Sequence, residues 1–63
     1  MKNRLQEMRW KKNWSQAQLA MRSSVPRSTI GAIENNPLED PHTSTAIKLA
    51  HALGVSVEDI FKL

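Results

Sequence analysis

The chain has no cysteine and no tyrosine, a single phenylalanine, and only two glycines and three prolines in 63 residues. Without cysteine there is no disulfide framework, no thiolate metal site and no cysteine nucleophile, a pattern that fits an intracellular setting. His42 and His51 have no second histidine at ligand spacing, so no metal is expected. Neither histidine has a visible nucleophile partner, and the chain carries no glycine-rich phosphate loop and no acidic pair. Enzymatic activity, a cofactor and a small-molecule ligand are therefore not expected. The apolar residues never run long enough to span a bilayer. Met1-Lys2-Asn3-Arg4 leads into an amphipathic pattern rather than into the apolar stretch of a signal peptide. A soluble, cytoplasmic protein with no membrane partner is the expectation. No segment alternates with period two, which argues against a sheet. Repeats, low-complexity tracts and linkers are also missing, so residues 1–63 are expected to form a single domain, near the lower size limit for folding without metals or disulfides.

What the chain does have is charge, unevenly placed. Residues 1–35 carry seven Lys or Arg against Glu7 and Glu34, whereas residues 36–63 carry Lys48 and Lys62 against four acids, within a total of +3. A basic half favours a polyanion, because each phosphate neutralised by Lys or Arg releases counterions. Charge alone also serves solubility, so the local pattern has to decide.

That pattern predicts five helices in an all-α bundle. The first runs from about Lys2 to Lys12, with Met1, Leu5 and Met8 on one stripe; Asn13 ends it and Trp14 turns into the core, leaving Trp10 partly exposed. Ser15 and Gln18 form an S-x-x-Q capping box, so the second helix begins at Gln16. Leu19, Ala20 and Ser23 share one face of it. The methyl of Ala20 allows the next helix to approach closely. Ser23-Ser24-Val25-Pro26 breaks the helix, Val25 plugging the space between two helices and Pro26 suiting the start of the third. Arg27 to Asn35 then turns Ile30 and Ile33 inward and leaves Arg27, Ser28, Gly31 and Ala32 outward. Two short helices joined by so tight a turn are the signature of a helix-turn-helix, whose second helix projects its opening residues toward a DNA groove. The fourth helix follows Pro41, is capped by His42 or Thr43, buries Ala46, Leu49, Ala50 and Leu53, and stops at Gly54. Ser56 caps a short fifth helix carrying Val57, Ile60 and Phe61.

In Asn3-Arg4-Leu5, Met8-Arg9, Asn13-Trp14-Ser15-Gln16, Gln18-Leu19-Ala20, Arg27-Ser28-Thr29-Ile30, Ile33-Glu34-Asn35, Ala46-Ile47-Lys48-Leu49-Ala50 and Ala52 to Phe61, the chain resembles the Cro/C1-type helix-turn-helix family. These are the repressor-like domains of phages and bacteria, also called the xenobiotic-response-element family. Each string is weak by itself; all of them in order make a specific match, nearly end to end. The resemblance implies a compact five-helix bundle of the lambda-repressor-like type and a sequence-specific regulator of transcription, a repressor that occupies an operator in double-stranded DNA. An antitoxin-like or adaptor module that binds protein on the same fold is the alternative. Ser24 departs from the family's usual glycine at a left-handed turn position, at a cost of roughly 1 kcal/mol. Asn36 replaces another glycine, and Pro37-Leu38-Glu39-Asp40-Pro41 looks one residue longer and more acidic than in relatives, which counts against phosphate contacts from that loop.

Site expectations follow residue by residue. The resemblance gives Gln16 a DNA phosphate and a bracing role on the third helix. Arg27 and Ser28 lie where the amino end of that helix enters the major groove, Arg being suited to guanine O6 and N7. Thr29 adds a phosphate or base contact. Gly31 and Ala32 lie one turn further along; a glycine inside a helix costs about 1 kcal/mol relative to alanine, so it marks either a close approach of backbone to DNA or a tolerated defect. Ala32 suits a thymine methyl. Asn35 and Asn36 match a stretch that bonds the DNA backbone, with helix capping as the plain reading. Arg9 and Glu34 resemble the family's partly buried ion pair, with Arg9 also near phosphate. Lastly, the apolar Val57, Ile60, Phe61 and Leu63 suggest a weak two-fold homodimer through the C-terminal helix and the loop before helix four, on a pseudo-palindromic operator.

Overall fold

The computed structural model describes residues 3–35 and 41–61. They form five helices, α1 (Leu5–Lys11), α2 (Gln16–Ser23), α3 (Arg27–Asn35), α4 (Thr43–Leu53) and α5 (Val57–Ile60), and no strand among the described residues. The expectations for Met1, Lys2, Asn36, the loop 37–40 and Leu63 lie outside the described residues.

Most helix boundaries have an identifiable cause. Asn3 and Arg4 are not helical, which corrects the expected start of the first helix at Lys2. The Asn3 amide explains the shift. Its Oδ1 accepts from the Leu5 amide at 3.1 Å while its Nδ2 donates to the Ile33 carbonyl at 2.9 Å, so the residue is held as a strap to α3 rather than wound into a turn. At the other end of α1, Asn13 takes φ 59, its N–H bonds the Trp10 carbonyl at 2.9 Å, and the Trp14 N–H bonds that of Arg9 at 3.2 Å. This is a Schellman ending with asparagine in the left-handed position.

The box at the start of α2 is complete: the Gln18 amide donates to Ser15 Oγ at 3.1 Å and Ser15 N donates to Gln18 Oε1 at 2.7 Å. Ser24 ends α2 at φ 63, in the left-handed region expected for it, with its N–H on the Ala20 carbonyl at 3.0 Å. Ser23 Oγ donates to the Leu19 carbonyl at 2.7 Å and accepts from Val25 N at 3.3 Å, so the buried hydroxyl is satisfied within the turn. Pro26 stands just outside α3, where its carbonyl accepts from Thr29 and Ile30. His42 occupies the cap position of α4 without a side-chain cap bond, and Gly54 ends that helix at φ 70 in a second Schellman motif, Val55 N bonding the Ala50 carbonyl at 3.0 Å. A second capping box, Ser56 with Asp59, opens α5.

Every helix contributes to one core. Leu5 of α1, Leu19 of α2, Ile30 of α3, Leu49 and Leu53 of α4 and Ile60 of α5 are the largest fully buried side chains, each worth about 1.5–3 kcal/mol in transfer free energy. Val25 is buried between α2 and α3, and Ala20, Trp14, Val57 and Phe61 pack partly against the same cluster. Trp14 is thus half-buried rather than central; the Arg22 guanidinium stacks on its ring 4.6 Å from the centroid. Trp10 is 59 % exposed. The start of α1 is tied to the end of α5 by Arg4 N donating to the Ile60 carbonyl at 2.8 Å, and α2 packs on both α3 and α4.

Candidate nucleic-acid interface

The inward residues of α3 are Ile30 and Ile33. Helical spacing then places Arg27, Ser28, Gly31, Ala32 and Asn35 on the other side of the cylinder. Arg27, Ser28, Ala32 and Asn35 are exposed, and Gly31 and Thr29 are half-buried. Arg27 has no carboxylate partner among the described residues. It is exposed at the first turn of α3, in the basic half of the chain.

This face is oriented from behind by a network of three side chains on three helices. Arg9 of α1 donates to Glu34 of α3 twice, Nε to Oε2 at 2.9 Å and Nη2 to Oε1 at 3.0 Å. Its remaining terminal nitrogen, Nη1, donates to the Trp14 carbonyl at 2.8 Å. Gln16, the first residue of α2, completes the set by donating Nε2 to Glu34 Oε1 at 3.1 Å. The ion pair expected between the first and third helices is therefore present and well covered. The Gln16–Glu34 bond is the brace on the third helix that the resemblance implied for Gln16; what sequence reading missed is that Glu34 is its partner. Residues 16 and 34 belong to different helices, so no local spacing rule relates them; only the fold brings them together. The same enclosure leaves the guanidinium of Arg9 turned inward, its side chain 9 % exposed.

Beyond Ala32 lies a cleft of about 280 Å³, lined by Ser28, Thr29, Ala32 and Ile33 of α3 with Pro41, His42 and Thr45 at the start of α4. Its described lining carries hydroxyls, an imidazole and apolar carbons. Thus Gly31 lies toward α2 and Ala32 toward α4, either side of a row formed by Ser28 and Asn35. His51 is exposed on α4. Among the described residues no three His, Cys, Asp or Glu gather as a metal would need, and no helix is long and apolar enough to cross a membrane.

The arrangement of α2, a left-handed turn and an outward α3 has counterparts among known proteins. A family model described as helix-turn-helix matches residues 5–60. The chain is similar to an uncharacterized HTH-type transcriptional regulator of Methanocaldococcus jannaschii, 44 % identical over 97 % of this chain and 91 % of the relative. It is also similar to an uncharacterized HTH-type transcriptional regulator of Archaeoglobus fulgidus, 38 % identical over 97 % of this chain and 84 % of that one. A third, the uncharacterized HTH-type transcriptional regulator YgzD of Bacillus subtilis, is 35 % identical over 100 % of this chain and 94 % of its own length. The chain belongs to the helix-turn-helix family, a family of DNA-binding regulators and not of enzymes.

Proposed function

We propose that this protein is a sequence-specific transcriptional repressor that inserts α3 into the major groove of duplex DNA and excludes polymerase from the site. The observation that carries the reading is the Arg9–Glu34–Gln16 network, which ties the first residue of α2 to the last turn of α3 behind an outer face on which Arg27 is exposed. In this reading Arg27 pairs with guanine O6 and N7, Ser28 and Thr29 reach a base edge or a phosphate, and Gly31 and Ala32 face the bases one turn on. Gln16 holds a phosphate on one flank, and Asn35 and Asn36 hold the backbone on the other.

One α3 reads only a few base pairs, so the operator is proposed to be a pseudo-palindrome bound by two copies whose half-site centres lie about 34 Å apart. The apolar surplus that the sequence suggested at the C-terminus is smaller in the fold, because Ile60 is fully enclosed and Val57 and Phe61 pack partly on the core. Association through α5 and the loop before α4 is accordingly expected on DNA and not in dilute solution. Selection of bound sequences from a random duplex pool, followed by stoichiometry on the selected site, tests the proposal. A repeated half-site bound by two protomers supports it; a single unrepeated half bound by one protomer removes the dimer, and failure to enrich any duplex points instead to the adaptor alternative.

A further inference from the structure

Gly31 lies at the centre of α3, where glycine is a poorer helix residue than alanine. Three internal causes can require glycine, and the structure removes all of them. Its backbone is not left-handed, since Gly54 is the only described glycine with positive φ. No helix end is near, because α3 continues four residues further. Nor does the protein crowd it: a Cβ placed on Gly31 would find Gln16 Oε1 as its nearest neighbour outside the helix's own backbone, at an ordinary contact distance of 3.8 Å. Among the described residues nothing calls for a missing side chain, which turns attention to what α3 meets outside the chain.

We propose that Gly31 is a specificity-determining residue, the point at which the α3 backbone closes on DNA, and that the group it admits is the 5-methyl of a thymine. The inference rests on the DNA-binding reading above and adds the chemistry of one contact. Neither Gly31 nor its exposed neighbour Ala32 offers a side-chain donor or acceptor, and the helical amide and carbonyl groups of this stretch are directed along the helix axis. Contact with a base edge is therefore apolar. Among the groups a base pair shows in the major groove, the thymine methyl is the apolar one. A larger residue at 31 would hold the helix away from that methyl.

The test uses the full chain and the duplex selected by it from a random pool, with each thymine replaced singly by deoxyuridine, which lacks the methyl. Gly31→Ala is expected to raise Tm by several degrees, because the helix gains a better residue whose methyl meets Gln16 at an ordinary contact distance. On the thymine duplex the variant is expected to bind about tenfold more weakly than the parent, as an added methyl overfills the contact. At one deoxyuridine position, and only there, that loss should shrink, because the removed methyl makes room for the added one. Equal affinity of Gly31→Ala and the parent on the selected duplex overturns the inference, as does a tenfold loss that is the same on every deoxyuridine duplex. A parent chain that binds no duplex overturns the DNA-binding reading together with it.

Discussion

Glu34 accepts two parallel hydrogen bonds from Arg9 and a third from Gln16, with the ion-paired side chains of Arg9 and Glu34 only 9 % and 3 % exposed. A pair so enclosed sacrifices hydration, which makes its net stabilisation small, while loss of one member strands the other. Glu34→Ala is therefore expected to destabilise the domain by about 3–5 kcal/mol. The double replacement Arg9→Met with Glu34→Leu should recover most of that loss, since apolar groups of similar volume often substitute for a buried pair. Urea unfolding of the single and double variants measures the difference; an unchanged midpoint in Glu34→Ala would contradict the enclosed network.

Left-handed positions give a second expectation with a built-in comparison. Ser24 and Asn13 both have positive φ, yet asparagine tolerates that region and serine does not. Ser24→Gly should stabilise the protein by about 1 kcal/mol, and Asn13→Gly by clearly less. Gly54→Ala, at φ 70, should destabilise it by a similar amount to the gain at Ser24. Thermal melts of the three variants check the order, and a larger gain at Asn13 than at Ser24 would contradict it.

Ala20 is half-buried against the core cluster on α2, the helix that packs on both α3 and α4. Ala20→Leu is expected to overfill this contact at a cost of about 1–3 kcal/mol. A variant that melts with the parent would place Ala20 away from the contact of α2 with α3.

The parts of this fold legible in the sequence are those set by short-range rules. Ser15 with Gln18, Ser24, Gly54 and Ser56 mark their helix ends within four residues, and Leu19, Ile30, Ile33, Leu49 and Leu53 show their inward faces by period alone. What sequence reading missed involves partners far apart in the chain. Asn3 looked like part of a first helix because nothing nearby announces that its amide will strap to Ile33, thirty residues on. Gln16 was identified as a site residue, but its bond to Glu34 depends on how α2 packs on α3. Phe61 and Ile60 looked like surplus apolar surface because a four-residue helix gives too few positions to define a buried face. For Gly31 the sequence left two readings open, and the ordinary contact distance of 3.8 Å from its Cβ position to Gln16 Oε1, which only the fold shows, removes crowding within the described residues as a third.

Arg27 and Gln16 separate the two kinds of contact proposed for the interface. Arg27→Ala should weaken binding to the selected operator by about 1–3 kcal/mol and relax preference at one base pair, whereas Gln16→Ala should weaken operator and random duplex alike. Competition binding with single-base operator variants makes the comparison. Equal losses on operator and random DNA for Arg27→Ala would remove its role in reading sequence.

The central claim, that the outer face of α3 and the basic half of the chain engage duplex DNA, is tested most directly by measuring affinity for the selected duplex as a function of salt. Each phosphate neutralised contributes about −0.9 to the slope of log K against log salt concentration, so the account predicts a steep linear fall. Gln16→Ala removes a neutral hydrogen bond to phosphate, so it should lower the affinity at every salt concentration and leave the slope unchanged. Absence of binding at low salt, or binding whose strength does not change with salt, would contradict the account.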